Sequence, residues 1–365
     1  MTRLADLPLR EDLRGQTPYG APQLPHAVQL NVNENPHPPS AALVADLAQR
    51  CADAAATLHR YPDREAGELR ARLAGYLGHG LTAEQVWAAN GSNEVLQQIL
   101  LAFGGPGRSA LGFEPSYAMH RLISLGTSTR WIAARRAADF TLSAKAAVAA
   151  VVEHRPDVVF LTSPNNPTGG ALDPEVVTAV AEVAPGMVVV DEAYAEFGDS
   201  PTALTLLPGR PRLVVTRTMS KAFAMAGARV GYLAADASVV DALRLVRLPY
   251  HLSALTQAAA LTALDHVDEL LGSVADVVAQ RQRLERGIAE LGLSTVPTAA
   301  NFLLFGPFTD PAATWQALLD DGVLVRDVSG GVGLAGWLRV CAGTAAECEL
   351  FLDVLRATLG QGTGR

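Results

Sequence analysis

VVFLTSPNNPTG (residues 158–169), MVVVDEAY (187–194) and LVVTRTMSKA (213–222) share one build: an apolar, β-branched run that ends in a short polar loop. Runs that are apolar throughout, rather than alternating, read as strands covered on both faces, which indicates a mainly parallel sheet. Helix-like stretches separate them, giving the alternation of an α/β domain. In such sheets ligands bind beyond the carboxyl ends of the strands. The loops therefore carry the candidate chemistry. Asn166 lies in the first, Asp191 and Tyr194 in the second, and Thr218, Ser220 and Lys221 in the third, with Arg229 eight residues beyond Lys221.

Working outward, helical patterns cover Ser40 to about Thr57, Glu65–Leu77 and Ser92–Phe103. Residues 1–39 are rich in Pro, Asn and Gly and read as an extended arm. From about Ser253 a long helical region runs to about Leu291, followed by the shorter signals FLLF, VLVRD, WLRVCAG and CELFLDVLRATL. The expected division is an arm over 1–39, a large domain over 40–255 and a smaller α+β domain over 256–365, with the arm packing on the small domain or a partner subunit.

Composition removes several classes. A chain of 365 residues that is 49% hydrophobic and 18% charged is not a disordered one. A net charge of −8 without a Lys/Arg run argues against nucleic acid as a partner. Three cysteines with no CxxC spacing suggest a reducing compartment rather than a disulfide framework. No signal peptide and no membrane-spanning run are legible, so a cytoplasmic protein is expected. The eight histidines include no HExxH, so no metal site is expected, and His120 and His251 read as packing residues.

The three loops make chemical sense together as a pyridoxal phosphate site. A lysine of depressed pKa, Lys221, can form a Schiff base with the cofactor aldehyde. A buried carboxylate, Asp191, favours the protonated ring nitrogen on which the cofactor's electron sink depends. Asn166 and Tyr194 can donate to the ring oxygen. Arg229, Ser220 and Thr218 can hold the phosphate, joined by Ser92 and Asn93 at a helix N-terminus, where unpaired N–H groups favour an anion. Tyr117, in FEPSY, can stack on the ring.

The motifs GSNE (91–94), SPNNPTG (163–169), DEAY (191–194) and SKAFAMAGAR (220–229), in that order, resemble the aspartate-aminotransferase-like pyridoxal phosphate enzymes of fold type I. More closely, the chain resembles the histidinol-phosphate aminotransferases, from LNVNENP (30–36) and HRYPDR (59–64) to VLVRDV (323–328) and WLRVCAGT (337–344). The resemblance implies an aspartate-aminotransferase-like fold, with a large domain on a mainly parallel sheet and a smaller α+β domain. It implies a homodimer that transfers an amino group between histidinol phosphate and 2-oxoglutarate, giving imidazole-acetol phosphate and glutamate. Lys221 would be the Schiff-base lysine and proton carrier. Tyr61 would reach the phosphate of the partner subunit's cofactor. Arg339 would bind the substrate's anionic group, with Arg326, Tyr19 and Asn33 near the substrate. A planar guanidinium accepts carboxylate or phosphate in the same bidentate way, so one pocket can serve both half-reactions. The rival on the same scaffold is an aromatic amino-acid aminotransferase.

Overall fold

The computed structural model describes residues 4–16, 20, 22–24 and 28–362, so Tyr19 lies outside the described residues. In chain order the elements are β1 (Val28–Gln29), α1 (Ala41–Ala55), α2 (Gly67–Leu77), β2 (Val86–Asn90), α3 (Ser92–Phe103), β3 (Ser109–Glu114), α4 (Ala118–Gly126), β4 (Arg130–Arg135), α5 (Ala144–His154), β5 (Val158–Thr162), α6 (Pro174–Val183), β6 (Met187–Asp191), β7 (Leu213–Thr218), β8 (Val230–Ala235) and α7 (Ala237–Val246). After them come α8 (Ala254–Asp265), α9 (Val267–Glu290), β9 (Ser294–Thr295), β10 (Phe302–Gly306), α10 (Pro311–Asp320), β11 (Val323–Leu324), β12 (Arg326–Asp327), β13 (Leu338–Cys341) and α11 (Ala345–Gly362).

The central sheet has seven strands in the order β2-β8-β7-β6-β5-β3-β4. β4, β3, β5, β6 and β7 are parallel, while β8 runs antiparallel to both β7 and β2. The unbroken apolar runs are explained by two cores. Val159, Leu161, Val188, Val190 and Val215 face one core with α1, α2 and α8. Their neighbours Val158, Phe160, Val189 and Val214 face another with α3 and α7. Successive strand residues point to opposite faces, so a sheet covered twice has no polar side to display.

Helix starts follow local chemistry. Ser40, Ser143, Asp173, Asp236 and Ser253 accept hydrogen bonds from the first turns of α1, α5, α6, α7 and α8. α3 differs. Its cap is Gly91, at φ +80°, with no side chain over the helix end, and Ser92 is the first helical residue.

A third core gathers Phe302, Phe305, Leu338, Val340 and Phe351 around the small antiparallel sheet β12-β13-β10-β9, and it includes Leu30 from the arm. The arm is pinned by β1, which pairs in parallel with β11. The long C-terminal helical region divides at His266. Ala259, Ala260, Ala263 and Leu264 of α8 pack in the first core, whereas Val277, Leu284 and Ile288 of α9 pack in the third. The change of core thus falls inside α9. Among the described residues no helix is long and apolar enough to cross a membrane.

β8 approaches the start of α3 closely at Gly231, where an added Cβ would sit 2.0 Å from the Ser92 nitrogen. Backbone cannot yield as a side-chain tip can. Gly231→Ala should therefore lower the unfolding free energy by about 1–3 kcal/mol, read as a lower midpoint of denaturant unfolding at unchanged slope.

Candidate active site

A cavity of about 300 Å³ opens at the carboxyl ends of β5, β6 and β7. Ser92, Asn93, Tyr117, Asn166, Asp191, Tyr194, Thr218, Ser220, Lys221 and Arg229 all line it, so every residue taken from the three loops and from the start of α3 meets there.

Asp191 closes the inner end and is 5% exposed. Its Oδ2 lies 3.0 Å from His120 Nε2, and its Oδ1 accepts from the Thr216 hydroxyl at 3.4 Å. The His120 ring stacks on Phe160, centroids 4.7 Å apart, and meets the Tyr117 ring edge-on. His120 does pack as the sequence suggests, but it also holds the carboxylate in place.

Lys221 is half-buried, and its Nζ donates to the Val32 carbonyl of the arm at 3.0 Å. Enclosure away from water pushes its pKa down to about 8, with Arg339 and Arg229 acting in the same direction and Cys341 and Glu34 opposing them. The amine thus needs far less than the usual alkalinity to become a nucleophile.

Beside it, the Tyr194 hydroxyl receives two amide donors, Asn33 Nδ2 at 2.9 Å and Asn166 Nδ2 at 3.2 Å. Arg339 Nη1 donates to Asn166 Oδ1 at 2.6 Å, which fixes which end of that amide faces Tyr194. Burial pushes the Tyr194 hydroxyl up to about 12 against the opposing pull of Arg339 and Asn33, so it stays protonated. With both lone pairs engaged, its proton is left to be donated. Asn33 itself is held by Cys341, whose thiol donates to Asn33 Oδ1 at 3.0 Å.

The opposite end is an anion cradle. The Ser220 N–H donates to Thr218 Oγ1 at 3.1 Å, and Arg229 Nη1 donates to Ser220 Oγ at 3.3 Å. Arg229 lies across Gly91, where an added Cβ would fall 2.3 Å from Nη2. The absent side chain lets the guanidinium and the uncapped N-terminus of α3 share one spot. Partial positive charge and free N–H groups there favour an anion. Tyr117 donates to Asn93 Oδ1 at 3.3 Å.

A second cavity of about 510 Å³ adjoins the first through Tyr117 and Asn166 and holds Arg339, Arg326 and Arg121. Arg326 and Arg339 are cross-strand partners on β12 and β13. Arg326 Nη1 also donates to the Gly20 carbonyl of the arm at 3.3 Å. Tyr61 is not brought to either cavity. It is 79% exposed and stacks on Tyr250 at 4.3 Å. Sequence reasoning missed His120, and also Val32 and Glu34, which the arm places in the lining. Only nearness to the quoted motifs FEPSY and LNVNENP hinted at them.

The family model for aminotransferase class I and II matches residues 25–355. A histidinol-phosphate aminotransferase of Frankia casuarinae is 62% identical over 363 residues, covering 97% of this chain and 90% of that protein. One of Thermobifida fusca is 60% identical, covering 98% and 96%. Among solved structures, the histidinol-phosphate aminotransferase of Sinorhizobium meliloti in complex with pyridoxal 5'-phosphate is 26% identical, with a TM-score of 0.82, covering 92% of this chain and 91% of that one. A mutant aspartate aminotransferase of Thermus thermophilus shares the fold at 21% identity and a TM-score of 0.80, covering 96% of this chain and 99% of that one.

The depressed pKa has a direct readout. In the ligand-free protein, acylation of Lys221 by an amine reagent should reach half its maximal rate near pH 8, not near the ordinary 10.5. The neutral amine gains population as pH rises through the lowered value, so reactivity must increase with pH. A midpoint near 10.5 would mean that the enclosure does not discharge the ammonium.

Proposed function

The chain belongs to the class I and II aminotransferase family, and from that membership we propose that it is a pyridoxal phosphate-dependent transaminase converting histidinol phosphate and 2-oxoglutarate to imidazole-acetol phosphate and glutamate. The observation that carries the reading is Lys221, half-neutral near pH 8, set between a buried carboxylate and an anion cradle and opening toward paired arginines. Curated relatives of that name at 56–62% identity favour histidinol phosphate over an aromatic amino acid.

The cavity's donor set fits the cofactor part by part. Arg229, Ser220, Thr218 and the start of α3 suit its phosphate, Asp191 its ring nitrogen, Asn166 and Tyr194 its ring oxygen, and Tyr117 a ring face. When bound, pyridoxal phosphate supplies an electron sink for negative charge on the substrate's α-carbon. Asp191, restrained by His120, would hold the ring nitrogen in its charged form. Tyr194 would donate its one free proton toward the ring oxygen, while Arg339 keeps Asn166 in register. Lys221 would hold the cofactor aldehyde, and its Nζ would be the base that takes and returns the proton of the substrate's α-carbon. Arg339 and Arg326 orient the substrate by its anionic end, phosphate in one half-reaction and carboxylate in the other.

We also read the protein as a cytoplasmic homodimer. Leu58, Tyr61, Leu245 and Leu248 are more than half exposed, a grouping of large apolar side chains that a second copy would cover. Tyr61 would then enter the partner's site, as the resemblance implies. Three free cysteines suit a reducing compartment.

Purified protein should turn over histidinol phosphate with 2-oxoglutarate and prefer it to phenylalanine by kcat/KM. A preference for phenylalanine would install the rival reading. Subunit sharing has its own test. Lys221→Ala should lack the visible band of lysine-linked cofactor and be inactive, as should Tyr61→Ala be strongly impaired. Mixing the two with proven exchange should restore activity through hybrids that carry one complete site, and no recovery would refute the sharing.

A further inference from the structure

Glu34 lines the main cavity together with Lys221, and apart from its charge acting on that lysine nothing above gives it a part in binding. Its mount is rigid. The Val32 carbonyl accepts from Lys221, the Asn33 and Glu34 carbonyls accept from Asn301 Nδ2 at 3.1 and 3.4 Å, and Asn35 Nδ2 donates to Ser273 Oγ at 3.0 Å. The segment that carries Glu34 is therefore fixed on both sides of it.

The other acids of the two cavities are engaged. Asp191 is held by His120 and Thr216, Glu114 accepts from Trp131 Nε1 at 3.1 Å, and Asp327 accepts from the Ser329 N–H at 2.8 Å. The Glu34 carboxylate accepts no hydrogen bond among the described residues. Among the described residues it is the lining acid whose acceptor capacity is left open.

A free carboxylate is a handicap in a site for dianions. All amino donors share the amine that reacts at the cofactor, so the contrast lies in their side chains: the second carboxylate of glutamate or 2-oxoglutarate repels Glu34, and the phenyl ring of an aromatic amino acid offers it no donor. An imidazole ring carries an N–H and gains positive charge on protonation. We propose that Glu34 is a specificity-determining residue that accepts the imidazole N–H of the substrate, while Arg339 and Arg326 hold the phosphate at the other end. This inference rests on the histidinol-phosphate reading above. It gives a positive charge pair for the anion and an acceptor for the ring, so that substrates lacking either feature are disfavoured.

The test compares histidinol phosphate, phenylalanine and glutamate as amino donors, by kcat/KM, in holoenzyme carrying Glu34, Glu34→Gln or Glu34→Leu. Glu34→Gln should lower the value for histidinol phosphate by about tenfold and Glu34→Leu by about a hundredfold, since the first removes the charge and the second the acceptor as well. Phenylalanine should change by less than about threefold, and glutamate should hold or rise as repulsion is relieved. An equal fall for all three donors would make Glu34 a counter-charge for Lys221 and overturn the proposal, as would an unchanged value for histidinol phosphate. The cofactor's visible band checks that each variant is loaded. A parent enzyme that does not turn over histidinol phosphate would fail earlier, taking down the functional reading and this inference together.

Discussion

The site depends on a guanidinium that is buried and yet, among the described residues, has no carboxylate partner. Arg339 is 7% exposed, and its hydrogen bonds go to neutral acceptors, Asn166 Oδ1 and the Asn31 carbonyl at 2.7 Å. Its Cζ sits 5.1 Å over the Phe302 ring, and its Nε has no partner among the described residues. A charge so placed is costly, several kcal/mol for an unpaired buried ion. Amide oxygens and a ring face offset part of that cost but leave the charge uncancelled. In the proposed reaction an anion would complete the pairing, and the uncancelled charge would then contribute to affinity. The same guanidinium joins a loop of the central sheet, a strand of the small sheet and the arm, so the walls of the second cavity are tied together through one side chain.

The carboxylates next to the site are handled in the opposite way. Asp191 and Glu192 are consecutive, and the end of β6 sends them to opposite sides. Glu192 is cancelled by Arg217, Nη2 to Oε2 at 2.7 Å, and Arg217 Nη1 also donates to Glu196 at 3.2 Å. Burial pushes the Glu196 carboxyl up, against the pull of Arg217, and the Tyr76 hydroxyl donates to it at 3.3 Å. This closed network fixes the loop between Asp191 and Phe197 from behind. Among the described residues Asp191 meets an imidazole and a hydroxyl at the edge of the cavity that it lines. Two adjacent acids thus part ways: Glu192 is tied to a guanidinium behind the loop, and Asp191 lines the cavity.

Much of this was legible. The strands 158–162, 187–191 and 213–218 and the helix 92–103 lie where the patterns put them, because continuous β-branched runs and a glycine-led helix start are local signals. The loop residues meet because parallel strands present all their carboxyl ends at one edge. What was not legible was mostly long-range. His120 reaches Asp191 across 71 residues, and no local pattern encodes that. Val32 and Glu34 enter the cavity only because β1 pairs with β11, and a two-residue strand leaves no periodicity. α8 belongs to the first core because Ala258–Leu264 is buried on every face, and a helix without a polar side does not announce which core it joins. The antiparallel direction of β8 was equally silent, since an apolar run reads the same both ways.

The net charge of −8 and the cationic cavity are compatible because electrostatics at a site is local. Salt screens exposed charges beyond about 8 Å at physiological ionic strength. The acids of the surface groove formed by Asp46, Asp53, Asp63, Glu68 and Asp265 are therefore muted beyond that range, whereas Arg339 and Lys221, withdrawn from the surface, are screened much less. Overall charge then governs solubility and non-specific partners, and placement governs binding. By the same reasoning the two carboxylates that line the cavity, Asp191 and Glu34, carry more weight than the many acids outside. Asp191 is held by His120 and Thr216, so in the proposal above it is Glu34 whose charge decides how far the cavity favours a ring that can donate over a second anion.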